Sequence, residues 1–296
     1  MENNTIQQWY SEYGQLLFSL AYKMTGSASD AEDIIQDVFT QLKSYELQHQ
    51  QHIKAFLCKL VTNRCLDLLK SAAKKREVYV GTWLPEPIVK EYSPLDEVIR
   101  EEEVSIALLR LFDQLTPVER AVFILHDVLD YDYASIAHIV EKTESNCRKI
   151  LSRIKQKLPT LQTTMQAEIS GNESKKEHEE VVLSFMAAFQ EGNVKELVNH
   201  LREDIVYYAD GGGKKTAAMK PIIGKERVMA LLDFISHIVV QPNFIVSLCS
   251  VNGQTGFKLR DLDGTPSIIS FDVEDKKIKT MYYMVNPDKL AHMVHG

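Results

Sequence analysis

Long apolar runs are missing from this chain. No segment approaches the roughly 20 apolar residues that span a bilayer, and the opening MENNTIQQWY lacks the basic and apolar regions of a signal peptide. Cysteine is scarce and scattered. Cys58, Cys65, Cys147 and Cys249 form no C-x-x-C pair and have no nearby His at ligand spacing. That argues against a disulfide framework or a zinc motif and leaves no metal or cofactor to expect. Repeats and low-complexity tracts are absent too. The expectation is a reduced, cytoplasmic protein without membrane contact.

Positive charge is also short, with 34 Lys and Arg against 41 Asp and Glu and a formal net charge of −7. The shortage is local. Residues 83–140 hold 4 basic and 12 acidic side chains, whereas residues 141–170 hold 6 basic and 3 acidic. An acidic chain thus gathers basic side chains in NCRKILSRIKQK, residues 146–157.

What is present is ordinary globular material: 296 residues, 45% hydrophobic and 25% charged, enough for two or three domains. Residues 10–76 read as helices. DAEDIIQDVFTQL places Ala31, Ile34, Ile35, Val38, Phe39 and Leu42 on one 3.6-period face, and Ser29 with Glu32 predicts a capping box at its start. Residues 53–70 repeat the pattern. GTWLPEPIVKEYSPLDE, with its prolines and acids, reads as a linker. Helices resume near residue 96; Thr116, Pro117 and Glu119 mark one start. YASIAHIV, a tight turn and the basic helix then match a helix-turn-helix. Polar residues around Gly171 and Asn172 mark a second boundary. Beyond 177, helices lead into NFIVSLCSV, TGFKLRDL, SIISFDV and KIKTMYYMV, strand-like runs separated by Asn252-Gly253, Asp263-Gly264 and Asp275-Lys276. The expected class is multidomain: two all-α domains followed by an α+β domain with a curved antiparallel sheet. Boundaries are expected at 1–80, 81–102 for the linker, 103–165 and 177–296.

On the basic helix Cys147, Ile150, Leu151, Ile154 and Leu158 share one face, opposite Ser145, Lys149, Ser152 and Gln156, with Arg148, Arg153 and Lys155 at the flanks. An apolar back and a basic, hydrogen-bonding front suit a recognition helix reaching phosphates and base edges in the major groove. A solvated amphipathic helix explains the charge run alone; the preceding turn favours DNA. Ser145, Asn146, Arg148, Lys149, Ser152 and Arg153 are the candidate contacts. Glu141 occupies the turn position where a glycine is common, at a strain of ~1 kcal/mol. Lys59, Asn63, Lys70 and Lys74 form a second basic stripe on helix 53–76, suited to a DNA backbone and an exposed base. Asp30, Glu32, Asp33 and Asp37 face away from the apolar side of helix 30–39, as a docking surface for a basic partner or a solvated face.

Taken together these segments resemble bacterial RNA polymerase sigma factors of the extracytoplasmic-function type. YGQLLFSLAYKMTGSASDAEDIIQDVF resembles the polymerase-binding part of their second region, and AFLCKLVTNRCLDLLKSAAKKREVYVG its −10 reading and melting part. LTPVERAVFILHDVLDYDYASIAHIVEKTESNCRKILSRIKQKL resembles the fourth region, which reads the −35 element. WLPEP (83–87), DGGGK (210–214) and NPDKL (286–290) resemble signature segments of the subgroup with a fused SnoaL-like, NTF2-like C-terminal domain. The resemblance implies two partners, core RNA polymerase and promoter DNA. It implies that Asp30, Glu32, Asp33 and Asp37 meet polymerase, that Asn63 and its basic neighbours meet the −10 strand, and that Ser145, Arg148, Lys149 and Ser152 meet the −35 groove. ELQHQQH (46–52) stands where such factors capture a flipped −10 base. A free monomer is expected.

For the C-terminal domain the expectation is regulatory contact. Trp83, Leu84, Pro85, Glu86 and Pro87 would dock on a surface loop of Asp210, Gly211, Gly212, Gly213 and Lys214, with Asn286, Pro287, Asp288, Lys289 and Leu290 holding the tail near the same contact. Trp83 and Leu84 would be apolar anchors, and the prolines would keep the linker extended. Tyr207, Tyr208, Asp210, Lys214, Tyr282 and Tyr283 are candidates to line a pocket for an unidentified small ligand. A raised-pKa carboxylate there could act as a base, but core tyrosines and a backbone turn explain the same residues, and no catalytic residue is assigned. A one-component helix-turn-helix regulator with a ligand-sensing domain, or a DNA-tethered SnoaL-type enzyme, are the alternatives.

Overall fold

The computed structural model describes residues 2–42, 52–76, 79–91, 104–169, 172–239, 245–260 and 264–293. The chain forms two compact units, one of residues 1–77 and 108–164, the other of 78–107 and 165–296.

The first unit is helical. Helices α1 (Glu2–Thr25), α2 (Ala28–Gln41) and α3 (Ile53–Arg76) pack on one another through Leu17, Leu20 and Met24, Ile35 and Val38, and Leu57, Val61 and Cys65, all buried. The α2 cap differs from the expected one. Gly26 takes a left-handed φ of 70°, Ser27 is extended, and its hydroxyl accepts from the Asp30 amide at 3.1 Å, so α2 begins two residues before the Ser29 start. Strand β1 (Val89–Glu91) belongs to the other unit. Next come α4 (Ile106–Phe112), α5 (Pro117–Phe123) with a π-helical turn Ile124–Val128, α6 (Tyr133–Val140) and α7 (Glu144–Lys157). The Thr116–Glu119 capping box forms with Pro117 in the first turn, and Phe112 packs on Phe123 with ring centroids 5.9 Å apart.

The second unit holds α8 (Pro159–Ile169) from its later part onward, α9 (Asn172–Gln190), α10 (Val194–His200), β2 (Leu201–Asp210), β3 (Ile222–Ile223), α11 (Lys225–Val239), β4 (Ile245–Val251), β5 (Gln254–Arg260), β6 (Pro266–Glu274) and β7 (Lys277–Met284). Helix therefore occupies most of the polar stretch expected as a boundary. The sheet order is β1-β4-β5-β6-β7-β2-β3, antiparallel except for β2 beside β7. The hairpin turns fall where expected, with Asn252 and Gly253 at φ 52° and 75°, and Asp275 and Lys276 at 53° and 56°. Asp263 lies outside the described residues. Phe185 of α9 packs edge-on against Phe271 at 5.7 Å, joining the helices to one face of the sheet.

Two features of this fold correct the expected organisation. The linker is part of the C-terminal unit, not a separate segment, and the division after the first domain falls at 77 instead of 80. Val89, Lys90 and Glu91 pair antiparallel with Val251, Ser250 and Cys249, so the linker extends the sheet at its edge.

Candidate functional site

The helix-turn-helix is built by its caps. Asp132 accepts from the Ser135 amide to start α6, Glu141 ends it at φ 54° and ψ 49°, and Thr143 starts α7 by accepting from the Asn146 amide. The turn uses the left-handed conformation the sequence suggested, without glycine. Cys147, Ile150, Leu151 and Ile154 are buried. Ser145, Arg148, Lys149, Ser152 and Arg153 are exposed and Asn146 is half-buried. Arg148 is steered by Glu144 at 2.9 Å and lies 4.6 Å from the Tyr133 ring centroid. Lys155 turns back to Asp127 at 3.4 Å, and Lys157 donates to the Gln114 carbonyl. The basic front is thus narrower than five charges suggest.

On α3 the expected stripe divides. Lys59 Nζ stands 3.4 Å from His138 Nε2 on α6, Asn63 is half-buried, and Lys70 is exposed and paired with Asp67 at 3.1 Å. The side chain of Lys74 lies outside the described residues, as do residues 46–51 of ELQHQQH. Helix α3 also packs on the helix-turn-helix through the Tyr131 hydroxyl, 3.3 Å from Cys58 Sγ. Buried Arg120 of α5 donates to the Met24 carbonyl of α1 at 2.6 Å and to Asp113 at 2.9 Å. On α2, Glu32, Asp33 and Asp37 are exposed, while Asp30 is half-buried in the first turn.

The linker contact converges on Asp210, 1% exposed at the end of β2. Its Oδ1 accepts from the Tyr79 hydroxyl at 2.5 Å and the Gly212 amide at 3.0 Å; its Oδ2 accepts from the Leu84 amide at 2.9 Å and Lys289 Nζ at 2.7 Å. Lys289 also donates to the Leu84 carbonyl and lies 4.2 Å from the Trp83 ring centroid. Burial first, and the Asp210 carboxylate second, push the Tyr79 phenol up and keep it a donor. Asn286 donates to Tyr79 at 2.8 Å, and Lys214 pairs with Asp288 at 2.6 Å on the surface. Leu84, Pro85, Glu86 and Pro87 are buried, as is Leu290; Pro287 is half-buried. A side chain on Gly211 would stand 2.2 Å from the Lys215 carbonyl oxygen. Gly212, at φ +60°, would direct one into Asn286. Gly213 and Lys214 are exposed.

The chain matches the family Sigma-70 region 2 over residues 9–75 and Sigma-70, region 4 over residues 105–158. It is 32% identical over 291 residues to the ECF RNA polymerase sigma factor SigJ of Mycobacterium tuberculosis, covering 94% of this chain and 90% of that protein. This chain belongs to the ECF RNA polymerase sigma factors. A probable ECF sigma factor, SigI of the same species, is 27% identical over 282 residues, covering 93% of this chain and 91% of that one. The crystal structure of SigJ superposes with a TM-score of 0.75 at 27% identity, covering 95% of this chain and 97% of that chain. As a sigma factor the protein binds core RNA polymerase and directs promoter-specific initiation. The first unit supplies regions 2 and 4, and the C-terminal unit is the expected α+β domain.

Strand alternation corrects the expected pocket of this sigma factor. Tyr207 and Tyr283 line a cavity, but Tyr208, Asp210 and Tyr282 have the opposite parity and face the other side of the sheet, where Tyr208 and Tyr282 stack at 5.9 Å. Asp210 is committed to the linker. Trp83 is half-buried and serves as a platform for Lys289 more than as a buried anchor. Sequence reasoning missed Tyr79 and Asn252. The Asn252 side chain accepts from the Ile88 amide at 3.0 Å and donates to the Val104 carbonyl at 2.8 Å. Its role in the Asn-Gly turn accounted fully for its presence in the sequence, so no signal remained to reveal a second one.

Proposed function

We propose that the C-terminal domain of this sigma factor restrains it by holding both ends of the connection between regions 2 and 4. The carrying observation is that Asp210 and Lys289 grip residues 79–84 while Asn252 grips residues 88 and 104. Elements named −10 and −35 are about 25 base pairs apart, about 85 Å of duplex. Helices α3 and α6, which carry parts of the two reading domains, touch in the first unit. Initiation therefore requires these domains to separate. Residues 78–105 can reach about 90 Å when fully extended, but not while both ends are pinned to one domain. Release of the linker is the step that permits promoter spanning.

In this reading Ser145, Asn146, Arg148, Lys149, Ser152 and Arg153 meet the −35 groove, and Lys59, Asn63, Lys70 and Lys74 meet the −10 strand once α3 is uncovered. Asp30, Glu32, Asp33 and Asp37 dock on polymerase, with Glu32, Asp33 and Asp37 the outward members. The factor works in the cytoplasm, is monomeric when free, and acts without catalysis of its own. The C-terminal cavity takes a small ligand.

Run-off transcription with core polymerase tests the restraint. Trp83→Ala and Gly212→Asp, which loosen the grip from its two sides, are expected to raise promoter-dependent transcript several-fold over wild type. Equal output from all three proteins overturns the clamp; a fall in both variants reverses its sign and makes docking a requirement.

A further inference from the structure

The cavity of the C-terminal unit encloses about 830 Å³, within the roughly 300–1,000 Å³ usual for ligand sites. Sheet residues Ile269, Phe271 and Met281 form its floor, and α9 and α11 cover it with Phe185, Phe189 and Leu231. Among the described residues no Asp, Glu, Lys, Arg or His lines it. A charged guest would shed its hydration without gaining a counter-charge among the described residues, so a neutral one is favoured. Two polar groups nevertheless reach the lining from buried positions. Tyr207 is 5% exposed and Ser267 is 6% exposed, and among the described residues neither hydroxyl has a hydrogen-bond partner. Both residues belong to the cavity wall.

We propose that this cavity binds a neutral, predominantly apolar small molecule whose oxygen atoms hydrogen-bond to the Tyr207 and Ser267 hydroxyls. The apolar walls select against charge, and the two hydroxyls fix orientation. The consequence for transcription rests on the clamp reading. Strands β2 and β7 carry Tyr207, Met281 and Tyr283 on the cavity side and run directly into Asp210 and the 286–289 segment. Ala217, another wall residue, lies 3.0 Å from where a Gly211 side chain would begin. A guest that shifts these shared elements alters the grip on the linker.

Two probes with one skeleton test the site on the full chain: neutral N-phenyl-1-naphthylamine and its sulfonated counterpart 1-anilinonaphthalene-8-sulfonate. Fluorescence titration is expected to give saturable one-to-one binding of the neutral probe and at least tenfold weaker binding of the anion. Ala218→Trp and Val246→Trp fill the cavity from different walls and should each weaken the neutral probe at least tenfold while keeping a cooperative thermal transition. If one of them fails to fold, the other decides, and the comparison of probes on wild type needs neither. Absent saturation, equal affinity for the anion, or unchanged binding in the filled variants overturns the site. A saturating neutral probe should change run-off transcription by wild type but not by the filled variants. Binding with no change in transcript sinks the regulatory link and leaves the site. No binding alongside a response to Trp83→Ala sinks the site and leaves the clamp.

Discussion

Asp210 shows how one side chain can carry a domain contact. A buried carboxylate is tolerated only with its charge and lone pairs satisfied, and here Lys289, Tyr79 and two backbone amides supply that. Asp210→Asn removes the carboxylate charge that pairs with Lys289, at a cost of about 3 kcal/mol. Tryptic cleavage at Lys90 is expected to accelerate more than tenfold. Asp272 on β6 makes the opposite contribution. Burial raises its carboxyl from 3.8 to about 6. Between those values the native protein holds a proton that the unfolded chain has released, so this group adds stability as pH falls through the window and costs on the order of 3 kcal/mol above it. Asp272→Asn should raise the unfolding temperature by several degrees at pH 7.5 and lose the advantage near pH 4, as calorimetry at the two pH values would show.

At the scale of elements, α7 and α2 present opposite charge, in the proposed reading to different partners. The cap at Thr143 and the buried Cys147–Ile154 face fix α7 so that Lys149 and Ser152 point outward. Lys149→Ala is expected to weaken −35 DNA binding and reduce the slope of log affinity against log salt by about 1, the signature of one lost phosphate contact. On α2, Asp33 and Asp37 have no cationic partner among the described residues. Reversing both to Lys should abolish co-purification with core polymerase while leaving thermal stability within about 0.5 kcal/mol, since surface changes of this kind perturb folding little.

For the whole molecule, the first unit has its two reading domains in contact, a state incompatible with two elements about 85 Å apart. Replacing Lys59 and His138 by Cys and bridging them with a bis-maleimide should prevent initiation. The same double variant without the bridge is the control, so any loss from Lys59 itself cancels. Equal transcript from bridged and unbridged protein would show that the domains need not part. The native thiols do not confuse the labelling: all four are buried, and burial pushes Cys249 up to about 12.

Much of this was legible locally. The capping box at Thr116, the left-handed Glu141, the hairpin turns and the apolar faces of α2 and α7 follow from interactions within a few residues, so the sequence alone determines them. The three short signatures lie together in the fold, in contact at Asp210, Trp83–Leu84 and Lys289. Chain pattern could not decide which face of β2 a tyrosine would take, because one residue of register exchanges cavity for exterior and sends Asp210 to the linker instead of the pocket. Nor could it reveal that residues 89–91 complete the sheet, or that Tyr79 and Asn252 secure the linker. Those contacts join residues more than a hundred positions apart; only the folded packing brings their donors and acceptors within 3 Å.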